Sequence, residues 1–67
     1  MRIVVTVDPE TDPRKIAGPL LDAGMIIDRV LREGVLIGTV RNAAALERVA
    51  QVTGVIAVEQ DGRPQAR

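Results

Sequence analysis

The residues with the most chemical potential stand close together early in the chain. Asp8, Glu10 and Asp12 alternate, and alternating carboxylates are one element of a calcium-binding loop. Pro9 and Pro13 intervene, and the glycine and distal glutamate of an EF-hand loop are missing, so no calcium site is expected there. Lys15 and scattered threonines are the other side chains that could serve a reaction. The 67 residues include no histidine and no cysteine. That removes the ordinary base near neutrality, the thiolate nucleophile and the usual zinc ligands. Nothing pairs a nucleophile with a base, and a domain this small has little room for a pocket. The expectation is a non-enzymatic protein with no catalytic residue, no cofactor and no metal.

Length and charge narrow the remaining classes. Sixty-seven residues make one small domain, which buries only about 60% of its unfolded surface and has a small stability margin. Apolar residues form 46% and charged residues 27% of the chain, which is globular rather than disordered usage. Phe, Tyr and Trp are absent and the net charge is +0. A nucleic-acid partner is therefore not expected, because it wants a basic surface and usually stacking rings. No apolar run reaches the roughly 18 residues of a membrane span, and no signal peptide precedes the first β-rich segment. The expected location is cytoplasmic, without a membrane partner.

Six elements must position whatever the chain binds with. Arg2 to Val7 is a β-branched run and predicts a strand. Asp12 can cap a helix that starts at Pro13, and Ile16, Ala17, Leu20 and Leu21 recur at helical spacing. Gly18-Pro19 should kink or break that helix, because proline clashes with the carbonyl four residues back. Gly24 should end it in the left-handed region. Met25 to Arg32 and Val35 to Val40 read as strands joined through Glu33-Gly34. A two-residue loop would pair Arg32 with Val35, and a three-residue loop with a bulge at Gly34 would pair Leu31 with Val35. Asn42 caps a second helix from Ala43 to about Val52, stopped by Gly54, and Val55 to Gln60 is the last strand.

The order βαββαβ predicts an α+β, ferredoxin-like fold. Its sheet would have four antiparallel strands in the order 4-1-3-2, with both helices on one face. Residues 1–61 form the domain, and residues 62–67 are expected to be a flexible tail. Ile3, Val5, Val7, Leu36, Gly38, Val40, Ile56 and Val58 are expected to face the helices, with Gly38 admitting a helix closely. The opposite face would then carry Val4, Thr6, Val35, Ile37, Thr39, Val55 and Ala57. Either Ile26 with Val30 or Ile27 with Leu31 would join it, depending on the hairpin register. A sheet face turned to water normally alternates with polar residues, so this much apolar surface marks an interface.

The second half carries a resemblance. The run Gly38-Thr39-Val40-Arg41-Asn42-Ala43-Ala44-Ala45-Leu46-Glu47-Arg48-Val49 precedes Gly54-Val55, Val58-Glu59 and Asp61. This pattern of strand, helix and final G-V-x-x-V-E-x-D strand resembles subtilisin propeptides and their stand-alone inhibitor relatives. The first half follows more loosely, through the strand Ile3–Val7 and the order of elements. The resemblance implies that the outer face docks on two surface helices of a subtilisin-like protease while the C-terminal tail lies in the substrate cleft. Glu59 and Asp61 would then cap protease helices, whose N-termini favour anions. Arg67 would occupy the specificity pocket, which would suit a protease preferring basic residues. Propeptides of the common subtilisins end in larger apolar or aromatic residues, so Gln65-Ala66-Arg67 departs from the pattern.

The same outer face supports another class of function. Ferredoxin-like domains also serve as regulatory or assembly modules, sometimes binding small ligands, and a sheet-to-sheet homodimer would bury the same patch. The partner is therefore expected to be a subtilisin-like protease or a second copy of this chain.

Overall fold

A computed structural model describes residues 1–60. The elements are β1 (Arg2–Val7), α1 (Pro13–Asp22), β2 (Met25–Leu31), β3 (Val35–Val40), α2 (Ala43–Ala50) and β4 (Val55–Gln60), with a 3₁₀ turn at Arg32–Gly34 between β2 and β3. The fold is α+β. Its four strands form one sheet in the order β2-β3-β1-β4, and all three pairings are antiparallel. The expected order 4-1-3-2 is this same order read from the other edge. Asp61 and the tail at 62–67 lie outside the described residues. Among the described residues no helix is long and apolar enough to cross a membrane.

Local chemistry places the helix ends. The Asp12 carboxylate accepts from the Arg14 N–H at 3.0 Å, and Pro13 opens α1 where a missing N–H costs nothing. The Asn42 side chain accepts from the Ala45 N–H at 2.9 Å and opens α2. Gly24 follows α1 with φ +106°, a conformation that favours glycine. The helix α1 runs unbroken from Pro13 to Asp22, with Pro19 inside it. Of the kink or break expected at Gly18-Pro19, the break does not occur: Ile16 and Leu20, buried on either side, hold the two halves to the core.

That core is apolar and holds no aromatic ring. Ile3, Val5 and Val7 of β1, Leu36 and Val40 of β3 and Met25 of β2 pack with Ile16 and Leu20 of α1 and Ala45 and Val49 of α2. Both helices therefore cover the same face of the sheet, the one to which the odd-numbered residues of β1 point. No polar or charged side chain among the described residues is buried.

The β2–β3 hairpin takes the longer of the two expected loops: Leu31 pairs with Val35. Its turn has two consecutive residues at positive φ, Glu33 at 65° and Gly34 at 77°. Gly34 tolerates this and must remain small, because a Cβ there would lie 2.7 Å from the Val7 carbonyl oxygen. Glu33 is exposed and pays the steric cost of a left-handed side chain. Glu33→Gly should therefore raise the unfolding free energy by about 0.5–1 kcal/mol, the relieved strain slightly exceeding the added freedom of the unfolded chain. Urea unfolding followed by far-UV circular dichroism measures it, and a loss of stability would contradict the turn geometry.

Candidate docking face

The face opposite the helices is built by register. Val4 pairs with Ile37 and with Glu59, Thr6 with Val35 and with Ala57, and Arg2 with Thr39. Side chains of paired residues share a face, so Val4, Thr6, Val35, Ile37, Thr39, Ala57 and Glu59 stand together on the outer side. The five residues on the central strands are half-buried by their neighbours, whereas Ala57 and Glu59 on the edge strand are exposed. No helix of the described residues covers them.

Val55 is a correction. It was expected on the outer face with Ile56 on the inner one, and neither expectation holds. Thr6 pairs with Ala57 but Val7 pairs with Val55, so the register slips at Ile56. One extra residue in β4 flips the alternation beyond it. Val55 packs against the core, and Ile56 is 63% exposed. A bulge leaves no mark in an apolar run such as VIAV, where every residue would be acceptable on the inner face.

A second bulge divides β2. Ile27 pairs with Gly38 and Arg29 with Ile37, leaving Asp28 as the extra residue. Neither expected pair of β2 residues therefore joins the outer face intact. Ile26, opposite Thr39, and Leu31, opposite Val35, reach it from opposite sides of the bulge. Their exposures of 64% and 41% extend the apolar patch to the sheet edge. Val30 pairs with Leu36, in line with the inner face, yet it lies beyond the cover of the helices and is exposed.

Gly38 is also corrected in its reason. A helix was expected to approach it. The group in its way is instead the backbone of β2: a Cβ on Gly38 would collide with the Ile26 carbonyl oxygen and lie 2.8 Å from the Met25 Cε. The bulged strand folds in over the bare backbone of its neighbour.

The carboxylates between β1 and α1 have local work. Asp8 accepts from the Glu10 N–H at 2.9 Å, and Asp12 caps α1. Among the described residues no three carboxylates converge on a metal position. One open groove of about 680 Å³ lies where α1 ends and α2 begins, lined in part by Leu21, Ile26, Arg41 and Arg48. The sequence reading missed it. Leu21 was assigned to the apolar stripe of α1 but is 55% exposed at this groove. Arg48 donates from Nε to the Ala23 carbonyl at 3.2 Å, tying α2 to the end of α1.

Comparison with known proteins finds no matching family model, no matching curated protein and no matching solved structure.

Proposed function

We propose that this chain is a ferredoxin-like, non-enzymatic docking domain that presents its open sheet face to a subtilisin-like protease, inhibiting it or assisting its folding. The observation that carries this reading is the uncovered apolar face formed by Val4, Val35, Ile37, Ala57, Ile26 and Leu31. Helices cover the other face so completely that Ile3, Val5, Leu36 and Val40 are at most 3% exposed. A second apolar layer on so small a domain gains nothing from water and much from a partner. The choice of protease rests on the resemblance of the Gly38–Asp61 segment to subtilisin propeptides. In that reading Glu59, at the edge of the face, meets the N-terminus of a protease helix, and the cleft contact expected of Arg67 falls on residues outside those described.

Ile37 stands at the middle of the face, on a central strand. Ile37→Glu would place a carboxylate where the complex excludes water, at a cost of about 3 kcal/mol, or roughly a hundredfold in affinity. The fold should survive, because the side chain lies outside the core. The assay is residual activity of a panel of subtilisin-like proteases, including enzymes with basic specificity, with and without the chain. Wild-type protein should inhibit at least one member and the variant should inhibit it far less. Absence of inhibition by the wild type at micromolar concentration would sink the protease assignment.

A further inference from the structure

The register aligns one row of side chains across all four strands of the outer face. Arg29 of β2 is opposite Ile37 of β3, Ile37 is opposite Val4 of β1, and Val4 is opposite Glu59 of β4. The row thus runs cation, aliphatic, aliphatic, anion. With strands about 4.8 Å apart, its charged ends lie about 14 Å from each other. Both ends are exposed, and neither side chain forms a hydrogen bond or ion pair with another described residue. The adjacent row, Leu31, Val35, Thr6 and Ala57, carries no charge.

Such a row complements itself under one symmetry operation. Stack two copies face to face about a two-fold axis parallel to the strands and passing between β1 and β3. Then β2 lies over β4 of the other copy and β3 over its β1. Arg29 meets Glu59 twice, and Ile37 meets Val4 twice. A two-fold axis perpendicular to the strands would instead oppose Arg29 to Arg29 and Glu59 to Glu59. The angle of about 30° between aligned sheets displaces the row ends by only a few ångströms, within reach of these long side chains. Asp28, at the bulge beside Arg29, is the other charge at that edge, and Arg2 lies one row away opposite Thr39.

We propose that a second copy of this chain covers the outer face, in an isologous dimer with its axis parallel to the strands and Arg29 of each copy paired with Glu59 of the other. The proposal rests on the reading of this face as a docking surface and names an occupant for it. The dimer and a protease compete for the same residues.

Charge exchange tests it, with sedimentation equilibrium of the full chain as the readout. Wild-type protein should be dimeric at micromolar to millimolar concentration. R29E and E59R should each raise the dissociation constant about ten- to thirtyfold, because each replaces two attractions with two repulsions. The double variant R29E/E59R should recover the dimer. The decisive arm mixes the single variants. The R29E chain presents two carboxylates and the E59R chain two guanidiniums, so the mixture should form a heterodimer although neither forms a homodimer well. A wild-type chain that stays monomeric, or a dimer indifferent to both exchanges, overturns the proposal. So does a failure of the double variant to recover, or of the mixture to associate. The two readings fail separately. A monomeric wild type whose inhibition is lost in Ile37→Glu leaves the docking face and removes the second copy. A charge-dependent dimer that inhibits no protease keeps the docking face and the second copy and removes the protease.

Discussion

Gly38→Ala should remove most of the stability of the domain, a loss of about 3 kcal/mol. A methyl group at this position has nowhere to go. It would overlap the Ile26 carbonyl oxygen and press on the Met25 Cε, and the first is backbone held in the sheet. Either β2 must separate from β3 or the bulge at Asp28 must be remade. A domain of this size has about 5 kcal/mol to spend at the outside, so the variant should be partly unfolded at room temperature. Far-UV circular dichroism during urea titration is the measurement of choice, because the chain has no Trp or Tyr to report by fluorescence. Wild-type stability in the variant would mean that β2 does not cross Gly38 as described.

Leu20→Ala should cost about 3 kcal/mol as well, by a different route. Leu20 is fully buried between α1 and the sheet, in a core without aromatic side chains. With no aromatic ring to shift into the space, the cavity would stay largely unfilled. The neighbouring Leu21→Ala is the control. Leu21 is 55% exposed at the groove beside α2, so its truncation should change stability by no more than about 0.5 kcal/mol. Equal effects at the two positions would show that α1 is rotated relative to the sheet.

The contrast between these adjacent leucines shows where local pattern stops. At the level of helical spacing both belong to the stripe that includes Ile16. Only docking selects between them: the stripe that meets the sheet is narrow, and Ile16 and Leu20, four apart, fill it. The Pro19 helix makes the same point in the opposite direction. Proline is unfavourable in mid-helix at every scale of local propensity, yet α1 continues through it. The tertiary contacts on either side outweigh the local penalty.

What the sequence determined by itself was whatever depends on short-range chemistry. The strand β1 was legible in RIVVTV, and its inward face in the alternation of Ile3, Val5 and Val7 with Arg2, Val4 and Thr6. Asp12 with Pro13, Asn42 and Gly24 marked helix limits, because capping and left-handed φ act within a few residues, whereas α2 ends at Ala50, short of the expected Val52 and four residues before Gly54. The order of elements then left few ways to assemble an antiparallel sheet. Most of the docking face followed from period-two alternation, including Val4, Thr6, Val35, Ile37, Thr39 and Ala57. Tertiary structure decided the rest, through two bulges. The extra residues Asp28 and Ile56 exist only relative to a partner strand, and each reverses which side its neighbours face. That is why Val55 turned inward, why Ile26 and Leu31 came to one face, and why Arg29 and Glu59 ended in a single row. Pairing register is a property of two strands, and it is set by what packs against both.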